Sequence, residues 1–133
     1  MESEPTWLAV VALALRDDAG RLLLQRRPAE KHHGGLWEFP GGKVERAENP
    51  RFALVREIAE ELGLAISASD LSPALVADEQ GVRPVVLFLY TCAVWQGEVL
   101  PSEGQQWGWF TREAARTLDL APMDRDLLER LPQ

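Results

Sequence analysis

Basic residues, cysteine and long apolar runs are all scarce in these 133 residues. Lysine and arginine number 14 against 21 aspartates and glutamates, a net charge of −7, whereas a protein that grips a nucleic-acid backbone needs a basic face. The charge argues against a nucleic-acid polymer as partner. The single cysteine, Cys92, excludes an internal disulfide and a cysteine-built metal centre, and its apolar neighbours place it in the core. No apolar stretch is long enough to cross a bilayer, no segment repeats, and the N-terminus carries glutamates where a secretory leader would be basic. The expectation is a soluble cytoplasmic protein without a membrane partner, a single domain over 1–133. Such a length buries roughly two-thirds of the surface of the unfolded chain.

What is present is acid, placed with a period. Glu57, Glu60 and Glu61 are spaced by three and four on a predicted helix, which puts them on one face. Like charges at that spacing weaken a helix by a few tenths of a kcal/mol per pair, so a divalent cation is the natural counterweight. The helix is well bounded: Asn49 caps it, Pro50 suits its first position, and Gly63 ends it, giving limits of about 50 to 62. Leu54, Val55, Ile58 and Leu62 form its apolar stripe, and the glutamates centre about 120° away. Gly41 and Gly42 precede it, where paired glycines permit close approach of backbone to a ligand, and Glu45 and Glu48 lie in the connecting loop. For a chain this acidic, a small phosphorylated ligand is compatible only where metal ions neutralise the repulsion between its phosphates and the site.

The flanking chain reads as strands and short helices. Trp7 to Leu15 is a strand covered on both faces, and Asp17-Asp18-Ala19-Gly20 turns it into Arg21 to Gln25, a hairpin or near neighbour. Arg26 and Arg27 end the second strand before a loop, Pro28 to Gly35, rich in charge, histidine and glycine. Two readings stand: a solubilising edge, or an arginine end that holds phosphate or base oxygens. Trp37 and Phe39 alternate onto one side, which turns Glu38 to the other, and Lys43 is either a surface residue or a partner for a terminal phosphate. Leu71 to Ala77 and a central strand within Val82 to Val94 follow, joined by the turn Asp78-Glu79-Gln80-Gly81, and Trp107 to Phe110 is the last strand. Glu103 is a loop carboxylate, a surface charge when read alone. Thr111 caps a short helix over Arg112 to Thr117, and Pro122 to Leu131 is a helix packing through Leu127, Leu128 and Leu131. Asp124, in its first turn, either complements the helix dipole or faces a ligand. Alternating strands and helices imply an α/β protein whose mixed sheet is covered on both faces.

The stretch Gly42 to Leu64, GKVERAENPRFALVREIAEELGL, resembles the Nudix box: a glycine, five residues, a glutamate, seven residues, then Arg-Glu-apolar-x-Glu-Glu-x-Gly-apolar. Gly42, Glu48, Arg56, Glu57, Ile58, Glu60, Glu61, Gly63 and Leu64 fill every defining position. Ala47 stands where many members carry glycine, a departure expected to stiffen the loop. The resemblance is closest to the MutT branch and extends to the arginine pair and to the WEFPGGK, SEGQ and LAPMD segments. It implies an α/β/α sandwich and hydrolysis of a nucleoside triphosphate, a small-molecule nucleotide, to the monophosphate and pyrophosphate.

By position, the resemblance makes Glu57, Glu60 and Glu61 metal ligands, joined by the Gly41 carbonyl and Glu103. Such hard oxygen donors suit Mg²⁺, or Mn²⁺ as substitute. The general base is Glu57, with Glu103 second, because family members differ on this point. Arg56 and Glu48 form an ion pair holding loop to helix. Arg27, Glu38, Lys43 and Asp124 are the substrate-binding candidates. Asp124 falls where the oxidised-guanine enzyme carries asparagine, whereas related CTP pyrophosphohydrolases keep aspartate. A carboxylate there can accept from the N1 and N2 hydrogens of a guanine-type edge or from the cytosine N4 amine; 8-oxo-dGTP ranks first, and cytidine triphosphates, including 5-modified ones, second. Hydrolysis of ADP-ribose or dinucleoside polyphosphates, and a catalytically silent nucleotide-binding module, are the remaining readings.

Overall fold

A computed structural model describes residues 7–101 and 105–133. Strand β1 (Leu8–Leu15) lies at its centre, an apolar run buried on both sides: Val11, Leu13 and Leu15 join one core cluster, Ala12 and Ala14 the other. Beside it stands β6 (Val85–Cys92), parallel and in register from Leu8 opposite Val85 to Leu15 opposite Cys92. The antiparallel strands β4 (Gly41–Lys43) and β5 (Ser72–Glu79) flank this pair, giving a mixed sheet ordered β4-β1-β6-β5. A second, antiparallel sheet is ordered β3-β2-β7, from Trp37–Glu38, Leu22–Arg26 and Trp107–Phe110.

Helix α1 (Pro50–Leu62) covers one side of β1 and seals the first cluster through Ala53, Leu54, Ile58 and Leu62, while Val55 remains only half-buried. Helices α2 (Arg112–Arg116) and α3 (Pro122–Arg130) close the other side, with Ala115, Leu127, Leu128 and Leu131 buried against β1, β2, β5 and β6 residues. Cys92 is buried, as expected of a core residue. Helices on both faces of a mixed sheet make this an α/β sandwich of the expected class. No described helix is long and apolar enough to cross a membrane.

Of the two readings for the first two strands, near neighbour holds rather than hairpin: they meet in one bridge, Arg16 with Leu22, after which β2 leaves β1 and pairs with β3 and β7. One expectation needs correction. Asp78 and Glu79, expected in a turn, instead continue β5, because Val86 and Val85 offer them ladder partners.

Candidate active site

The local signals of α1 set the geometry of the acid cluster. Asn49 accepts from the Arg51 amide at 2.9 Å, and Gly63, at φ 68°, donates its amide to the Ala59 carbonyl. With the apolar stripe docked, Glu57 turns toward β4 so closely that a Cβ on Gly42 would stand 2.3 Å from its carboxyl carbon. Gly41 serves a different need: a Cβ there would meet the Val11 carbonyl oxygen at 2.0 Å, so its bareness allows β4 to lie against β1. Glu61 faces β2, where Gln25 Nε2 donates to its Oε2 at 2.9 Å. Glu60 is not drawn in. Its side chain is 59% exposed and rests 3.3 Å from Arg56.

Arg56 is the hub of the loop end. Its Nε and Nη2 donate to Glu48 at 2.8 and 2.9 Å, its Nη1 to Glu57 at 2.9 Å, and its Nη2 to the Lys43 carbonyl at 3.2 Å. The two-pronged contact fixes both planes and is the strong form of an ion pair. It pulls the Glu48 carboxyl down to about 2 and raises the Arg56 guanidinium. Just before Glu48, Ala47 sits at φ 63°, the left-handed region that glycine enters freely and alanine does not. Lys43 is exposed on β4 beside this cluster.

The remaining candidates gather at the other end. Arg27 Nη1 donates to Glu38 at 2.7 Å and its Nε to the His32 carbonyl at 2.7 Å, so the guanidinium is committed to Glu38 rather than reaching freely toward α1. Asp124 is buried, 3% exposed, and its Oδ1 accepts from the Phe39 amide at 2.9 Å. A surface complement to the α3 dipole therefore does not describe it. Burial foremost, then the charge of Glu38, pushes it up to about 7. Burial likewise raises Glu38 against the pull of Arg27, raises Glu57 against the pull of Arg56, and lifts Glu61 to about 7 against its Gln25 bond. Glu103 lies outside the described residues.

One residue at the centre escaped the sequence reading. Gln25 is 1% exposed, and the same Nε2 that holds Glu61 also approaches Glu38 at 3.4 Å, so one amide links the two ends. Its Oε1 is buried without a donor among the described residues. The available signal was a glutamine inside the run LLLQ, on the strand face that Leu23 buries, since buried polar groups are retained where they have partners.

A divalent cation fits this donor set. Carboxylates outnumber the guanidiniums of Arg27 and Arg56 that touch them, Glu57 sits against bare glycine backbone at Gly42, and burial pushes Glu38, Glu57 and Glu61 toward the neutral form. Oxygen-only donors with excess negative charge match hard ions.

The family model described as NUDIX domain matches residues 5–131. The chain is 38% identical to the CTP pyrophosphohydrolase of Escherichia coli strain K12 over 92% of its own length and 89% of the relative's. It is 34% identical to the 8-oxo-dGTP diphosphatase of Proteus vulgaris, over 73% of its own length and 86% of that protein. Among solved structures, the MutT NUDIX hydrolase from Burkholderia pseudomallei superposes with a TM-score of 0.84 at 28% identity, covering 94% of this chain and 98% of the other.

Proposed function

The chain belongs to the Nudix family, and from that premise we propose that it hydrolyses nucleoside triphosphates in the cytoplasmic pool to the monophosphate and pyrophosphate, with 8-oxo-dGTP as preferred substrate. Nudix hydrolases act on small nucleotides and use divalent metal ions, for which Mg²⁺ is our assignment here. The observation that carries the reading is the packing of the Glu57 carboxylate against Gly42 with Glu61 beside it on the same helix.

Glu57, Glu60 and Glu61, with the Gly41 carbonyl and Glu103, are the proposed ligands. A bound hard cation neutralises phosphate oxygens and lowers the pKa of water. Glu57 takes the proton of the attacking water: it is held at the β4 backbone by Arg56, and burial raises its basicity. Oxygen from water joins phosphorus, the bridge between the α and β phosphates breaks, and pyrophosphate leaves. Glu48 locks Arg56 and with it the carboxylate that the guanidinium touches. Lys43, exposed beside this cluster, is assigned to the terminal phosphate. Gln25 fixes the plane of Glu61 and ties it to Glu38 under the base.

Arg27, Glu38 and Asp124 are assigned to the base. At about 7 the Asp124 carboxyl is available in its protonated form, which donates as well as accepts. It can therefore imitate the asparagine of the oxidised-guanine enzymes. The cytidine triphosphate reading keeps a specific support, the ionised aspartate accepting from a cytosine amine together with the 38% identity to a CTP pyrophosphohydrolase.

Nucleoside monophosphate release from a panel of 8-oxo-dGTP, dGTP, dCTP, CTP and ADP-ribose, the last giving AMP and ribose 5-phosphate, compared by kcat/KM, tests both levels. The expected outcome is Mg²⁺-dependent release led by 8-oxo-dGTP. In Glu57→Gln kcat should fall by about 10²–10⁴ with KM little changed, the loss of proton transfer in the transition state. Lead by ADP-ribose would overturn the triphosphate assignment, and full activity in Glu57→Gln would remove Glu57 as base.

A further inference from the structure

Outside the acid cluster, His32 and His33 in the loop between β2 and β3 converge on Glu79 at the end of β5. His33 Nε2 lies 2.5 Å from Glu79 Oε1, and His32 Nε2 lies 3.6 Å from Oε2. The two rings stand 3.9 Å apart between centroids, tilted by 41°. One donor atom from each of the three residues falls within 4.8 Å of the other two. Nothing in the hydrolysis uses them.

Adjacent residues in an extended segment project to opposite sides, so two neighbouring histidines meet on one carboxylate only where the backbone turns. It does so at His33, which holds φ 57°, a left-handed conformation uncommon outside glycine although histidine is among the residues enriched there. One imidazole N–H would satisfy an ordinary hydrogen bond to Glu79. The second ring, tilted against the first, adds little to that pair. Two imidazole nitrogens and one carboxylate oxygen are instead the donor set of a borderline divalent ion. For metal–nitrogen bonds of 2.0–2.1 Å in a tetrahedral site, donor atoms stand about 3.3 Å apart. With one donor atom of each residue already within 4.8 Å of the other two, side-chain rotation alone reaches that spacing. His32 is 75% exposed, which leaves an entry path and room for a water as fourth ligand.

We propose that His32, His33 and Glu79 bind one transition-metal ion of the Zn²⁺ class, clamping the 28–35 loop to the end of β5. The clamp reaches the base-binding end through one step, because the His32 carbonyl accepts from Arg27 Nε while Arg27 Nη1 holds Glu38. That last consequence rests on the hydrolase reading, whereas the ion site does not.

Co²⁺ is the probe, titrated into the full chain in saturating Mg²⁺. Mg²⁺ occupies hard carboxylate sites and competes poorly for imidazole. The visible spectrum should report one Co²⁺ per chain, displaced by Zn²⁺, and Zn²⁺ should raise Tm through preferential binding to the folded state. His32→Ala, Glu79→Gln and His33→Asn should each weaken Co²⁺ by about tenfold or more and abolish the Tm rise. Asparagine is chosen because it tolerates the left-handed backbone, so the variant folds. Glu61→Gln should bind Co²⁺ like the parent. Absence of Co²⁺ binding by the parent, undiminished binding by His33→Asn, or its loss in Glu61→Gln would each overturn the proposal.

Discussion

Burial pushes Asp124 up to about 7, and the linkage to stability has a definite sign. The unfolded chain releases this proton near the ordinary aspartate value, about 3.9, while the folded chain keeps it until about 7. The stabilising contribution is therefore fully present below about 4 and is lost as pH rises through 7. Asp124→Asn, which keeps an acceptor for the Phe39 amide, should be more stable than the parent by on the order of 2 kcal/mol at pH 8, with the gain fading toward pH 4. Urea unfolding at both pH values, without divalent ions, measures it. Ala47 gives a second test on the same scale. Its φ of 63° costs an L-residue about 1–2 kcal/mol, part of which is offset by the greater freedom of glycine in the unfolded chain. Ala47→Gly should therefore gain about 0.5–1 kcal/mol with kcat nearly unchanged, and a loss would mean that the loop does not hold that conformation.

Between elements, the pairing of α1 with β4 separates two neighbouring glycines by function. A Cβ at Gly41 strikes β1 backbone, which cannot move cheaply, whereas a Cβ at Gly42 strikes the end of a flexible glutamate. Gly41→Ala should lower stability by several kcal/mol, on the scale of severe overpacking. Gly42→Ala should leave Tm within a few degrees and cut kcat by displacing Glu57; calorimetry and pyrophosphate assays on the same preparations distinguish them. Helix α1 was legible from sequence, with limits at Pro50 and Leu62, because cap, first-turn proline and terminal glycine act within a few residues. The choice between hairpin and near neighbour for β1 and β2 was not legible. It depends on β7, whose Trp107–Phe110 segment pairs with β2 from far along the chain. Gln25 was hidden for a related reason, since its partners Glu38 and Glu61 come from other elements. The same limit applied to Asp124, whose buried bond to Phe39 joins residues that only the tertiary fold brings together.

For the molecule as a whole, two sheets that meet at the Arg16–Leu22 bridge between β1 and β2 bring the β2–β3 segment, α1 and the start of α3 to one region. Glu38 is close enough to both Glu61 and Asp124 to raise each of them. A net charge of −7 would repel a triphosphate, so acidity and substrate are reconciled only through cations at the carboxylates. The direct test is a crystal of the chain with Mn²⁺ and a nonhydrolysable nucleoside triphosphate, examined by anomalous scattering. A peak about 2.0–2.4 Å from Glu57 and Glu61 oxygens, touching the phosphates and drawing Glu60 inward, is the expected result. A bound nucleotide whose phosphates lie away from α1, with no ion at Glu57 or Glu61, would contradict it.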